Sequence, residues 1–144
     1  MELTILFRYL HFIAIFGVVS SVVSQHILLK PNMTRAEIHR ISVIDAVYGI
    51  SAIIVLIVGL ILWFGVGKPA AFYNGNWIFH LKLTLFLVAG LASIIPTVFF
   101  LKHRKGDPQE MVKMPGKIIA IIRFELLIFF LLPLMAVLMA QGAG

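Results

Sequence analysis

The chain has 144 residues, of which 61% are hydrophobic and 12% are charged, and its formal net charge is +6. A soluble domain is about half apolar and about a quarter charged, so a water-soluble enzyme, a disordered chain and a nucleic-acid module fit poorly. The absence of cysteine excludes disulfides, thiolate metal sites and cysteine nucleophiles. The length allows a single domain over residues 1–144.

Four apolar runs follow one another along the chain, at residues 4–29, 43–66, 77–101 and 117–140. Each has about 20 residues or more, which is the length that a helix needs to cross a hydrocarbon core of about 30 Å. A backbone in lipid must satisfy its own hydrogen bonds, so helices are expected for all four runs. The sequence therefore predicts an all-α integral membrane four-helix bundle that is surrounded by the lipid bilayer.

The connections between these runs differ in charge. Residues 30–42 and 102–116 lie on one side of the predicted bundle, and residues 67–76 lie on the other. The first side has Lys30, Arg35, Arg40, Lys102, Arg104, Lys105, Lys113, Lys117 and Arg123, against Arg8, Lys68 and Lys82 on the second. Because lysine and arginine are enriched in cytoplasmic loops, both termini are expected on the periplasmic side of a bacterial inner membrane. Thr34 and Glu37 have capping-box spacing, which predicts a short amphipathic turn in the first connection.

Eight ionisable residues lie inside the predicted spans. Each costs a few kcal/mol on insertion scales and therefore needs a physical reason. The predicted topology sorts them into two levels. Arg8, His11, His80 and Lys82 lie toward the termini, and His26, Asp45, Arg123 and Glu125 lie toward the basic loops, with Tyr48 one turn beyond Asp45.

The level near the termini suggests a haem site. His11 shares its helix face with Phe7, Ala14 and Arg8. An imidazole is a common axial ligand of haem iron, an apolar wall excludes water, and an arginine can pair with the propionates. A membrane histidine with a single polar partner is the alternative for His11.

His80 and Lys82 point about 200° apart on a helix, so only one of them can face such a site. Lys82 shares its face with Ala89 and Ser93, small residues that permit close approach of a partner helix or a flat cofactor. We therefore expect Lys82 to face inward as the second iron ligand, with snorkelling to the headgroups as its alternative. His80 is expected to face outward as an interfacial imidazole, although it stays a candidate for the second ligand. Tyr73, Asn76 and Trp77 are expected to line the mouth of the site.

The level near the basic loops has two interpretations. Asp45 is expected at the start of the second helix, where it can cap that helix or pair with Arg123. Glu125 points about 200° away from Arg123, which leaves His26 or a neighbouring subunit as its partner. The layer of Asp45, Tyr48, Arg123, Glu125 and His26 is either a buried clamp that fixes helix register or a proton path, because Asp, Glu and His chains carry protons in membranes.

Two resemblances follow from the motifs. Four motifs follow one another along the chain: Asp45-x-x-Tyr48-Gly49, Gly67-Lys68-x-x-x-Phe72-Tyr73-x-x-Asn76, Phe79-x-x-Lys82-Leu83 and Ser93-x-x-Pro96-Thr97-x-x-Phe100. Through these motifs the chain resembles, over most of its length, an uncharacterised family of predicted four-helix bacterial membrane proteins. More distantly, Tyr9-Leu10-His11 and the stretch from Trp77 to Leu83 resemble the Leu-His and Trp-x-His-x-Lys-Leu elements of the HemJ-type protoporphyrinogen oxidases. Those are small helical membrane proteins that bind haem b and form oligomers. The Trp-to-His spacing here is three residues and not two.

The sequence thus predicts a haem b-binding membrane protein with His11 and Lys82 as iron ligands. The expected activity is electron transfer or a haem-dependent oxidoreductase reaction at the periplasmic half of the membrane, with an unidentified redox partner. The alternatives are HemJ-like protoporphyrinogen oxidation and a small transporter or proton-coupled subunit without haem that uses Asp45, Arg123 and Glu125. Small-residue stripes on the helices predict a homo-oligomer, for which the distant resemblance implies a trimer. No nucleic-acid partner is expected.

Overall fold

The computed structural model describes residues 2–66 and 75–141. Four long helical segments dominate it: α1 (Glu2–Leu28), α2 (Arg35–Ile61), a third segment made of α3 (Trp77–Ala92) and α4 (Ile94–His103), and α5 (Gly116–Ala140). All four segments are long and apolar enough to cross a membrane. The predicted all-α architecture with four membrane spans is confirmed, whereas the orientation of the termini stays a prediction.

The second segment differs most from expectation, because α2 begins at Arg35 and not at residue 43. Thr34 caps it: Thr34 Oγ1 accepts a hydrogen bond from Glu37 N at 3.1 Å, and Glu37 Oε1 accepts one from Thr34 N at 2.8 Å. This capping box therefore starts the membrane-spanning helix itself and does not close a separate short turn. At its far end α2 passes into a π-helical turn over Leu62–Val66.

A small two-stranded sheet closes one end of the bundle, although no strand was predicted. Strand β1 (Asn32–Thr34) pairs antiparallel with β2 (Met111–Lys113), and Met33 lies opposite Val112. Arg35 connects the two loops, since Nε donates to Glu110 Oε1 at 2.5 Å and Nη1 donates to the carbonyl of His103 at 2.6 Å. We call this end, formed by residues 29–35 and 103–115, the basic end, and the opposite end the terminal end.

Two apolar clusters hold the helices together. The first, which we call the central core, contains Ala14, Val18, Val22, Tyr48, Val55, Ala89, Ile128 and Phe129. The second lies beneath the sheet and contains Met33, Ile38, Ile41, Phe100, Met114 and Ile118. Many large apolar side chains, such as Phe16 and Phe130, point outward, as expected for surfaces that face lipid.

The third segment is interrupted at Ser93, between α3 and α4. Pro96 follows closely and has no backbone N–H to donate, so the helix cannot keep its full hydrogen-bond ladder there. The break separates two packing partners: α3 packs mainly on α5, and α4 packs on α2. By contrast, α5 continues through Pro133 without interruption.

Candidate functional site: a buried carboxyl layer

A group of polar side chains lies inside the half of the bundle nearer the basic end. Every long segment contributes to it: Gln25 from α1, Asp45 and Tyr48 from α2, Ser93 and Thr97 from the α3–α4 region, and Glu125 from α5. We call this group the carboxyl layer. Its two acids are almost completely enclosed, since Asp45 is 4% exposed and Glu125 is 1% exposed.

Asp45 is hydrogen bonded through both carboxyl oxygens. Gln25 Nε2 donates to Oδ1 at 2.9 Å, and Thr97 Oγ1 lies 2.5 Å from Oδ2. Asp45 lies about 15 Å along α2 from Arg35, so its predicted position at the start of the helix is wrong. Its predicted pairing with Arg123 is also not formed, because the Arg123 side chain is exposed.

Glu125 and Tyr48 have fewer hydrogen-bond partners than Asp45. The Tyr48 ring packs edge-on against Phe129, with ring centres 6.0 Å apart, and its hydroxyl is within electrostatic reach of Glu125 and Ser93. However, neither Tyr48 Oη nor Glu125 Oε1 makes a hydrogen bond of ordinary geometry with any described residue. A buried oxygen without a hydrogen-bond partner lowers the stability of the fold by about 1–3 kcal/mol. Two such oxygens in one layer are therefore unusual in the interior of a protein.

No basic side chain among the described residues balances the two acids. The groups that act on Asp45 and Glu125 are carboxyls, hydroxyls and the Gln25 amide. The described ion pairs, Lys30 with Glu37 and Arg35 with Glu110, lie at the basic end. His26 is half-buried and makes no described contact with either acid. Of the predicted layer, the structure therefore brings together Asp45, Tyr48 and Glu125 but not Arg123 or His26.

A polar connection leads from the carboxyl layer toward the basic end. Ser42 is buried and precedes Asp45 by one helical turn on the same face of α2. Its hydroxyl donates to the carbonyl of His39 at 2.7 Å and accepts from Arg104 Nη1 at 3.1 Å. Arg104 follows α4 directly at the basic end, so polar atoms extend from that end to Ser42, one helical turn from Asp45.

The two candidate iron ligands, His11 and Lys82, lie nearer the terminal end. His11 is half-buried and lies within electrostatic reach of Lys82, beside the backbone of Val55. The His11 Nδ1 atom is buried and has no hydrogen-bond partner among the described residues. The ring also contacts α2, because a Cβ placed on Gly59 would lie 3.5 Å from His11 Cε1.

The other residues predicted for a haem site are not gathered around His11. Arg8 is exposed, Trp77 is 62% exposed, and His80 is exposed with its ring edge-on to Trp63. Asn76 has a structural role, because its Oδ1 accepts from Ile78 N at 2.9 Å and from Phe79 N at 3.2 Å and so caps α3. Tyr73 lies outside the described residues.

Gln25, Ser93 and Thr97 were not predicted as members of the layer. Gln25 carries no charge, so a search for ionisable residues passes over it. Its inward orientation was nevertheless predictable, because Val18, Val22 and Gln25 share one helix face. All three are buried in the structure. A polar residue that continues an apolar stripe of a membrane helix is a useful signal of an interior hydrogen bond.

Comparison with known proteins places the chain in a family. No curated protein and no solved structure matches it, and the predicted likeness to HemJ-type proteins therefore stays a prediction. A family model described as "Predicted membrane protein (DUF2214)" matches residues 3–144. The match covers nearly the whole chain, and the protein belongs to this DUF2214 family of predicted membrane proteins.

Proposed function

We propose that this membrane protein binds a proton in its carboxyl layer and exchanges it with the basic end, as a small proton-coupled transport protein or subunit. One observation carries the proposal: two acids, Asp45 and Glu125, are buried to 4% and 1% exposure in one layer, with no basic partner among the described residues. This function requires no haem.

The energetic argument starts from the cost of buried charge. Removing an ion from water costs several kcal/mol even after the protein relaxes, unless an opposite charge compensates. Two neighbouring carboxylates without a base would add mutual repulsion to that cost. Binding a proton removes both penalties, and membrane proteins use buried acids for this purpose. A static clamp would instead be expected to pair each acid with a base.

The surroundings favour exchange with one side of the membrane. Ser42 and Arg104 supply polar atoms between Asp45 and the basic end. In the other direction lies the central core, whose Val55, Ala89 and Phe129 are buried and apolar. In this conformation the central core closes the layer toward the terminal end, and on the basic side the pair Ser42–Arg104 supplies polar atoms beside the apolar cluster of Ile38, Ile41 and Phe100. Net proton transport therefore requires a second conformation in which the central core opens.

The test uses the full-length protein in lipid vesicles that contain a pH-sensitive dye. A potassium gradient with valinomycin provides the membrane potential that drives proton uptake. We expect the wild type to acidify the vesicle interior and Asp45→Asn to lose this activity. Asp107→Asn makes the same chemical change in an exposed loop and is expected to behave as the wild type.

Two results would contradict the proposal. The first is equal proton uptake by the wild type and by Asp45→Asn. The second is uptake that occurs only when sodium is present, which would assign the two acids to a metal cation. Circular dichroism of both variants shows whether the helices are retained.

We propose haem b binding at His11 and Lys82 as a second candidate function. The donor set suits haem iron: a buried imidazole nitrogen without a hydrogen-bond partner, with an amine in electrostatic reach. Haem would supply one-electron redox chemistry there. The chain's own contribution would be to hold the imidazole against Gly59 and Val55 in an apolar setting.

An absorption spectrum of the protein, purified after haem-replete expression, tests this second candidate. A Soret band that is lost in His11→Ala and retained in His39→Ala is the expected result, because His39 is exposed on α2. A colourless wild-type preparation would contradict it. This outcome is independent of the proton-uptake assay, so the two candidate functions are tested separately.

A further inference from the structure

We propose that the two buried acids have different roles: Glu125 keeps its proton throughout, and Asp45 is the group that gains and loses one. This inference rests on the proposed proton-binding function and assigns its parts to named residues. The difference follows from the hydrogen bonds that each carboxyl group makes in the carboxyl layer.

Asp45 is satisfied in both of its protonation states. As an anion, it accepts from Gln25 Nε2 at 2.9 Å and from Thr97 Oγ1 at 2.5 Å. As a neutral acid with its proton on Oδ2, it donates to Thr97 Oγ1. The Thr97 hydroxyl then turns its own hydrogen to the carbonyl of Ser93, which lies 2.9 Å away.

The exchange at Asp45 balances without any further reactant. One O–H bond forms at Oδ2 when the proton arrives, and the hydrogen of Thr97 changes its acceptor from Oδ2 to the Ser93 carbonyl. Release reverses both changes. A group that alternates between two satisfied states pays no penalty for an unpaired buried atom in either state.

Glu125 has no such second arrangement. Its Oε1 atom is buried and makes no hydrogen bond of ordinary geometry with a described residue, and the Tyr48 hydroxyl is the side-chain donor that acts on this carboxyl. An anion there would leave a charge-bearing oxygen without a hydrogen bond of ordinary geometry at 1% exposure, and an unpaired charge is the costliest kind of buried polar group. The neutral acid avoids that cost, so Glu125 retains its proton.

The charged and titratable groups around both acids support this division. Glu125 is faced by Tyr48 and Asp45 from α2. Asp45 is faced by the neutral Gln25 from α1, by Thr97 from α4 and by Tyr48 and Glu125. Ser42, to which Arg104 donates, lies one helical turn from Asp45 on α2, whereas Glu125 is on α5. A neutral Glu125 also lets Asp45 ionise without a second negative charge beside it.

Infrared absorption spectra of the full-length protein in lipid vesicles, recorded in H₂O and in D₂O at each pH, test the assignment, because a protonated carboxyl has a separate carbonyl stretch that shifts in D₂O. We expect two such bands from buried acids. One is present at every pH and disappears in Glu125→Gln. The other grows as the pH falls and disappears in Asp45→Asn. Asp107→Asn, in an exposed loop, should change neither band.

A further variant keeps the test informative if Asp45→Asn does not fold. Gln25→Leu removes a donor to the Asp45 anion, so the second band should appear at a higher pH while the first is unchanged. Loss of the constant band in Asp45→Asn, or titration of the band that Glu125→Gln removes, would overturn the assignment. Absence of proton uptake together with the expected bands would remove the proposed function and leave this assignment standing.

Discussion

Thr97 Oγ1 lies 2.5 Å from Asp45 Oδ2 and 2.9 Å from the carbonyl oxygen of Ser93, so one hydroxyl hydrogen has two acceptors. The contact joins α2 to α4 immediately after the break at Ser93. Because the hydroxyl has a single hydrogen, its orientation depends on whether Asp45 carries a proton. The Thr97 side chain therefore links the protonation state of Asp45 on α2 to the break at Ser93 in the third segment.

Replacing Thr97 by Val removes this donor and keeps nearly the same volume. The ionised form of Asp45 loses a hydrogen bond of about 1.5–3 kcal/mol, whereas the neutral form loses an acceptor of lower value. We therefore expect Asp45 to take up its proton about one to two pH units higher than in the wild type, measured from its infrared carbonyl band. Thr97→Ser keeps the hydroxyl and should titrate as the wild type does. An unchanged titration in Thr97→Val would show that the hydroxyl does not support the anion.

Phe129 lies between the carboxyl layer and the rest of the central core. Its ring is edge-on to Tyr48 at 6.0 Å and edge-on to Phe86 at 6.1 Å. Removing it in Phe129→Ala should cost about 3–5 kcal/mol of stability and open the apolar barrier, so the passive proton leak of vesicles should rise.

Phe130 provides the matched control for that variant, because it is the next residue on α5 and is 81% exposed. Phe130→Ala should leave both the leak and the unfolding midpoint close to wild-type values. An equal leak from the two variants would mean that Phe129 does not close the layer toward the terminal end.

Gly17 marks a close approach between α1 and α2. A Cβ built at this position would come within 3.0 Å of Ser51 Cβ and still closer to the Ser51 hydroxyl oxygen. Gly17→Ala should therefore force the helices apart and destabilise the bundle by about 1–3 kcal/mol, measured as a lower thermal unfolding midpoint in detergent. Gly90→Ala meets nothing within 4 Å and should be neutral or stabilising, since alanine favours helix. A fall of the same size in both variants would contradict the close-packing argument.

The fold was largely predictable because membrane spans are set by length and apolarity. The start of α2 was not, because Arg35, His39 and Arg40 read as a polar loop although they form the first turns of a helix. The capping pair Thr34 and Glu37 correctly marks the start of a helix, but only a short turn was predicted there and not the start of α2. The strand pair of Asn32–Thr34 and Met111–Lys113 has three residues on each side and joins segments far apart in sequence, so no local pattern indicates it.

The carboxyl layer was only partly predictable, for a different reason. Depth along each helix follows from residue number, so Asp45, Tyr48 and Glu125 were correctly placed at one level. Which way a side chain points depends on the neighbouring helices, and this separates the buried Glu125 from the exposed Arg123. The neutral partners Gln25 and Thr97 become evident only when the four segments are packed together.

Potential-driven proton uptake by vesicles that contain the wild type, Asp45→Asn or Asp107→Asn tests the central claim most directly. A proton-binding layer at Asp45 predicts uptake by the wild type and by Asp107→Asn, with loss of uptake in a folded Asp45→Asn. Equal uptake by all three proteins would contradict it, since the buried acid that is hydrogen bonded to Gln25 and Thr97 would then take no part in moving the proton.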